Sequence, residues 1–381
     1  MLNVSSMYSI SRYMTQSGYG ELGSELSDLM PPVTVVIPAY NEEKTIVETV
    51  KSVLQLEYPS LNVVVVNDGS SDETASRLID HFDMEITTVD QPDALSTEPI
   101  NSVHSSYSKQ NLSLVNKENG GKADALNAGI NLSRTPFVCC IDADSVLDRD
   151  CLKALIRPFL FDEDTVAVGG TVRVANGCEV DQGFISSVNL PDTLLPLFQV
   201  VEYLRAFLFG RMGWDPINGL MVISGAFGLF ERSALVEVGG YHTDNVAEDM
   251  ELVVRMHRKL SERERDYKIR YIPDPVCWTE VPEDLNSLRS QRTRWQHGLA
   301  QSVMKNLSLL FKPGSGWAGW LAFPYLILFE GIGALIEVLG YVYIASGLLM
   351  GFVEPPLALA FFVVAIAFGV FVSVVSFLLE V

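Results

Sequence analysis

Five short groups of residues have the types and spacing to do chemistry. Asp142-Ala143-Asp144 follows directly on the apolar run Phe137–Ile141. In an extended chain, residues two apart point the same way. The two carboxylates would therefore converge, and repel each other unless a cation lies between them. Hard oxygen ligands favour Mg²⁺ or Mn²⁺, which would neutralise a diphosphate; the plain alternative is two acids in a surface turn. Asp68-Gly69-Ser70-Ser71-Asp72 follows a second apolar run and could accept hydrogen bonds from a base or a ribose, or simply cap a strand-to-helix turn. Gly120-Gly121-Lys122 opens a helix, where free amides and a lysine suit an anion. It is not a Walker motif, because position 116 is Asn and no Ser or Thr follows Lys122. In Asn245-Val246-Ala247-Glu248-Asp249 the spacing of Asn245 and Glu248 fits a capping box. That leaves Asp249 outside the box and available as a general base. Gln291, Arg294 and Trp295 stand at i, i+3 and i+4, so a helix puts them on one face, where a guanidinium beside an indole suits a phosphate next to a sugar.

The elements that must hold these groups alternate. Val33–Ile37 and residues 62–66 read as buried strands, and residues 43–55 and 70–83 as helices. Strand, helix, strand, helix predicts a parallel α/β sheet with right-handed crossovers, and acids after its strands would stand at the ligand-binding edge. Further strands are expected near residues 85–89, 112–115 and 137–141, with a helix over 123–132. Residues 165–174 read as an edge strand, and 91–110 and 175–193 as surface insertions. Residues 196–214 are rich in Leu, Phe and Val around Arg205 and Arg211. They are expected to form a helix, in the core or, preferably, lying on a bilayer. Gly18-x-Gly20-x-x-Gly23 mimics a dinucleotide fingerprint, but no strand precedes it and no helix pattern follows.

Composition narrows the class. The chain has 381 residues, with 27 basic and 47 acidic side chains and a net charge of −20. Such a surface argues against nucleic acid as a partner, since binding a phosphate backbone needs a basic face. Five cysteines without CxxC spacing predict neither a zinc site nor a disulfide framework. Two long apolar runs lie near the end. From Leu321 to Phe352 only Glu330 and Glu337 carry charge, and from Leu357 to Leu379 nothing does. Each is long enough to span a bilayer. Two transmembrane helices are therefore predicted, about 321–350 and 357–379. Lys305 and Lys312 before the first place the catalytic part in the cytoplasm, on the inner face of a plasma membrane. The expected divisions are an arm over 1–31, a catalytic domain over 32–312 and a membrane domain over 313–381.

In this order the motifs resemble family-2 glycosyltransferases with a Gln-x-x-Arg-Trp signature, the group of cellulose, hyaluronan and poly-N-acetylglucosamine synthases. The set is Pro38-Ala39-Tyr40-Asn41-Glu42, Asp68, Asp142-x-Asp144, Glu248-Asp249 and Gln291-x-x-Arg294-Trp295. The resemblance implies a GT-A nucleotide-diphospho-sugar transferase fold followed by C-terminal transmembrane helices. By that likeness Pro38, Tyr40, Glu42 and Asp68 hold the nucleoside. Asp142 lies near ribose and metal, and Asp144 is a metal ligand. Lys122, Gln291 and Arg294 face the diphosphate. Ser224, Gly225 and Trp295 line the acceptor site, and Asp249 is the catalytic base. It further implies a nucleotide-sugar donor carrying UDP, a glycan or lipid-linked acceptor, an Mg²⁺ or Mn²⁺ cofactor and inversion at the anomeric carbon. Sugar transfer to a polyprenyl phosphate and a non-catalytic role in a polysaccharide export complex are the competing readings. The chain departs from the processive members in two ways: no span precedes the catalytic domain, and it ends at Val381 in an apolar run.

Overall fold

A computed structural model describes residues 30–88 and 94–378. The expected arm lies almost wholly outside them, as does the glycine fingerprint mimic. The strands are β1 (Val33–Ala39), β2 (Leu61–Asp68), β3 (Met84–Thr87), β4 (Ile100–Ser106), β5 (Leu112–Lys117), β6 (Phe137–Ile141), β7 (Val146–Leu147), β8 (Thr165–Val174), β9 (Glu179–Asp181), β10 (Phe184–Ser187), β11 (Phe227–Glu231) and β12 (Lys268–Thr279). The helices are α1 (Ile46–Leu54), α2 (Thr74–His81), α3 (Lys122–Leu132), α4 (Cys151–Phe161), α5 (Leu194–Leu204), α6 (Arg232–Val238), α7 (Glu248–Glu262), α8 (Leu285–Lys305), α9 (Gly333–Leu349) and α10 (Pro355–Leu378).

The main sheet runs β3-β4-β5-β2-β1-β6-β11-β8-β12-β7. Its centre, β5-β2-β1-β6, is parallel, as the alternation of strands and helices predicts. The flanks are not: β11 runs antiparallel to β6 and β8, and β4 antiparallel to β5 and β3. The sheet is therefore mixed, which corrects the purely parallel expectation. The chain leaves β1 toward β2 and β5, then returns to place β6 on the other side of β1. The crevice where that order reverses, at the carboxyl ends of β1 and β6, is where α/β sheets bind ligands.

β4 and β8 depart from the sequence expectation in instructive ways. β4 lies inside the segment expected to be a polar insertion. Its Ser and His residues are met by neighbours, as when Asn116 Nδ2 donates to Ser102 Oγ at 3.2 Å, so polarity did not mean exposure. β8 is interior, between β11 and β12, and almost every residue in it is buried. A strand covered on both faces has no polar side to alternate with, which is why it read as an edge. Residues 175–193 carry the small ribbon β9–β10.

The first apolar run is not one span. Residues Ala318–Ala322 and Leu326–Gly331 are π-helical around a short α-turn, and the path then bends by 49° into Leu335–Leu349. Gly331 and Gly333 flank the bend, where helix propensity is low. The freed carbonyls of Glu330 and Gly331 accept from Gln296 Nε2 on α8 at 3.4 and 3.1 Å. Before the bend, Ala318, Ala322, Phe323 and Leu326 are core, packed with Val254 and Leu299 of α7 and α8. Among the described residues no single helix is long and apolar enough to cross a membrane, though the bent pair passes that test together. The continuous helix expected over 321–350 is thus replaced by a bent path whose first residues, to Ile327, pack on the core and whose later residues are largely exposed.

α8 crosses α7 closely at Gly298. A Cβ there would press on Ala247, reaching its nitrogen at 2.8 Å. Gly298→Ala is expected to cost about 1–3 kcal/mol by overpacking. Because Ala247 precedes Asp249, sugar transfer should fall as well, which a melting curve and a rate on the same sample would show.

Candidate active site

Each chemical group stands where an element ends at the crevice. Asp142 is the first residue after β6, and its amide donates to Ala226 O at 3.2 Å. Lys122 opens α3, after Gly121 turns the chain with φ +87°. Ser224 and Gly225 lead into β11, and Glu248 and Asp249 begin α7. The side chains meet at Lys122. Its Nζ lies 2.5 Å from Asp142 Oδ1 and 3.3 Å from Glu248 Oε1, and donates to Gly225 O at 3.4 Å. Asp249 Oδ2 accepts from Gly225 N at 2.8 Å, and Oδ1 from Met250 N at 2.7 Å. Cys140, Ile223, Ser224, Phe230 and Tyr241 line the same narrow cavity with Lys122, Glu248 and Asp249. A Cβ on Gly225 would crowd Asp249 Oδ2 at 3.1 Å and Lys122 Nζ at 3.3 Å.

The charges are unbalanced. Burial pushes the Asp142 carboxyl above the usual carboxylate range, although Lys122 pulls it down. Burial also raises Asp144, helped by Glu42 and Glu280 nearby. Burial and the adjacent Glu248 raise Asp249. Burial opposes the Lys122 charge, but Asp142 and Glu248 hold its pKa above the ordinary lysine value. The site thus contains more acid than its one lysine balances. The lysine ammonium already occupies a place between Asp142 and Glu248, where a positive charge is favoured. Among the described residues no three His, Cys, Asp or Glu side chains form a ready metal cage. Asp142 and Asp144, which act on each other's charge, fit a divalent cation whose remaining ligands come from elsewhere.

Two assignments change. The capping box is absent: Ala247 is the N-cap, Asn245 Oδ1 accepts from Ala247 N, and Glu248 turns to Lys122 instead. A salt bridge across the crevice outcompeted a local hydrogen bond. Asp68 is 3% exposed, and both its oxygens are engaged. Oδ1 accepts from Lys117 Nζ at 2.6 Å and Gly120 N at 3.0 Å, and Oδ2 from Gly121 N at 2.7 Å. Lys117, fully buried, also pairs with Asp124 at 2.6 Å. Asp68 therefore clamps the turn that launches Lys122. Lys117, Asp124 and Glu248 were missed as site residues. The ladder pairs Asp68 with Lys117, a register that no local sequence signal reveals.

Tyr40 is 53% exposed at the end of β1, beside Asn41, whose φ is +58°. Pro38 lies within β1, opposite Val66 of β2. Glu42 Oε2 accepts from Thr45 Oγ1 at 2.8 Å. α8 starts under a full cap, Asp284 accepting from Asn286 N and Ser287 N. One of its faces, with Val246, lines an open groove of about 590 Å³ that includes Arg289, Arg294 and His297. Trp295 is not part of it. The Arg292 guanidinium lies 4.5 Å over its ring and grips Glu202 through two bonds of 2.6 and 2.7 Å. Gln291 Oε1 is buried without a partner. The expected common face of Gln291, Arg294 and Trp295 is thus divided between surfaces.

The profile of Glycosyl transferase family 2 matches residues 34–239, more than half of the chain. The chain belongs to glycosyltransferase family 2. A second profile, Glycosyl transferase family group 2, matches residues 137–374. The chain is 29% identical over 315 residues to the poly-beta-1,6-N-acetyl-D-glucosamine synthase of Staphylococcus aureus, covering 82% of this chain and 63% of that one. The enzyme of the same name from Staphylococcus epidermidis is 29% identical over 307 residues, 80% of this chain and 62% of that one. This family-2 chain thus spans less than two thirds of the length of these curated relatives. In fold it is similar to a mannosyltransferase of Pyrobaculum calidifontis solved with GDP-Man and Mn²⁺. The TM-score is 0.60 at 21% identity, covering 97% of this chain and 92% of that one. The mixed α/β sheet is therefore GT-A-like, as the sequence resemblance implies.

Proposed function

We propose that this family-2 glycosyltransferase is membrane-anchored and inverting, and moves a sugar from a UDP-sugar to a hydroxyl of a glycan or lipid-linked acceptor. The observation that carries the proposal is the meeting of Asp142, Glu248 and Lys122 at one point, with Asp249 held beside them by the Gly225 amide. Tyr40 at the rim of the crevice suits the base. Lys122, and Arg294 from the groove, suit the diphosphate. Mg²⁺ or Mn²⁺ held by Asp142 and Asp144 would supply charge to the leaving group. Asp249 takes the proton of the acceptor hydroxyl, the oxygen bonds to the anomeric carbon, and the bond from that carbon to the diphosphate breaks with its electron pair. A single displacement from the opposite face inverts the carbon.

Anchoring is supported by α9 and α10. Leu335, Ile336, Leu339 and Val342 on α9, and Leu357, Val364 and Ile366 on α10, are each more than half exposed. Such a surface is stable against lipid and costly against water. The glycan reading is supported by the two polysaccharide synthases to which the chain is similar.

The test is a screen of nucleotide sugars with the full chain in detergent, reading which diphosphate is released. UDP release that needs Mg²⁺ or Mn²⁺, and stops with EDTA, is the expected result. Release of no nucleoside diphosphate from any sugar nucleotide would refute the proposal.

A further inference from the structure

Two buried clamps meet on one short loop, and they come from the two helices that open at the catalytic crevice. α3 starts with Lys122, and α7 with Glu248 and Asp249. From α3, Asn127 grips the Tyr241 backbone twice: Oδ1 accepts from Tyr241 N at 2.7 Å, and Nδ2 donates to Tyr241 O at 2.8 Å. From α7, Arg255 donates from Nη1 to Val238 O at 2.5 Å and from Nη2 to Gly240 O at 2.6 Å. Its Nε lies 2.9 and 3.0 Å from the two oxygens of Glu251, one turn back on the same helix. Asn127, Tyr241, Glu251 and Arg255 are each 5% exposed or less. The loop is shaped to be held this closely. Gly240 has φ +66°, and a Cβ there would overlap Asn127 Oδ1.

Stability alone does not account for this arrangement. A buried ion pair is often no more stabilising than apolar side chains of the same volume. What it adds is fixed geometry, because the planar guanidinium fork holds two carbonyls in one orientation. The clamps also sit close to the chemistry. Asn127 stands five residues after Lys122, and Arg255 six after Asp249, which is roughly 8 and 9 Å along each helix. Neither of them lines the catalytic cavity, but Tyr241, which they hold, lines it with Lys122, Glu248 and Asp249. The Gly240–Tyr241 peptide is therefore a staple. One leg stands on the helix of the lysine that faces the diphosphate, and the other on the helix of the base.

We propose that Arg255 and Asn127 are positioning residues for sugar transfer: through the Gly240–Tyr241 peptide they fix the first turn of α7 against that of α3, and so hold Asp249 at the distance from Lys122 that transfer needs. The proposal rests on the reading above, with Asp249 as base and Lys122 on the donor side. Loosening either leg lets the base drift while the donor contacts remain. Lys122 keeps Asp142 at 2.5 Å, and Asp68 still holds the Gly120 and Gly121 amides before it. The cost therefore falls on the rate of transfer and spares donor affinity.

The test uses the full chain in detergent and two variants. Arg255→Lys keeps a cation beside Glu251 but loses the fork, and Asn127→Ala leaves no buried charge unpaired. The donor is the sugar nucleotide that gives release in the screen above, with enzyme in excess so that a single turnover is followed. That rate constant does not depend on how much of the sample is folded. Each variant should transfer roughly tenfold to a hundredfold more slowly, with the Kd for UDP within about twofold of wild type. Hydrogen exchange at the Gly225 amide, which donates to Asp249, should quicken in both, while the amides of β1 and β2 exchange as in wild type. An unchanged rate constant in both variants, or a loss of UDP affinity that matches the loss of rate, would overturn the proposal. If Arg255→Lys does not fold, Asn127→Ala decides by itself. A wild type that releases no nucleoside diphosphate would sink the sugar-transfer reading. Selective quickening at Gly225 would then still support the staple, and exchange that is unchanged or uniformly faster would remove it.

Discussion

Asp249→Asn is expected to lower sugar transfer by about 10²–10⁴-fold, the range for loss of a general base, while nucleoside diphosphate binding stays unchanged. The asparagine keeps one oxygen for the Gly225 amide, which donates to Asp249 at 2.8 Å, and gives up only the local bond from the Met250 amide to the other carboxylate oxygen. What disappears is the ability to accept a proton. Single-turnover transfer and UDP binding, measured on one preparation, separate the two; unchanged transfer would remove Asp249 from the chemistry. The pH dependence gives a second check. Burial and Glu248 raise the Asp249 pKa, and the base works only when deprotonated. The acid limb of the rate profile should therefore lie above the usual carboxylate range, with activity rising as pH increases through it. The stability effect has the opposite sign. A buried acid with a raised pKa favours the folded state at low pH, and that contribution is lost as pH rises through the folded-state value.

Lys117→Met should cause the largest loss of stability. The ammonium is fully buried, 2.6 Å from both Asp68 and Asp124, and also donates to Glu118 O at 2.5 Å. Removing it leaves two buried carboxylates facing each other. Breaking a buried pair in this way costs about 3–5 kcal/mol, or roughly 10 °C in melting temperature for a domain of this size. Because Asp68 also holds the Gly120 and Gly121 amides, donor binding should weaken along with stability. A melting temperature equal to wild type would mean that the turn holds itself.

The split between sequence and tertiary structure follows the range of the forces. Period and punctuation are local, so the chain alone determined β1, β2, α3, β6 and the placing of Asp142 directly after a buried strand. The order of five motifs was enough to imply the family and its GT-A fold. The spacing of residues 245 to 249 marked the start of α7 correctly but misread Glu248, because the competing partner, Lys122, lies more than a hundred residues away. The same holds for Lys117, whose partners come from β2 and α3. The run from Leu321 to Phe352 read as a single span because hydropathy does not record what packs against it. Its first turns, at Ala322, Phe323 and Leu326, turned out to be core for α7 and α8. Local pattern therefore determined which elements exist and which residues end them. Only the fold decided which charges meet, because Coulomb attraction and burial depend on distance in space and take no account of distance along the chain.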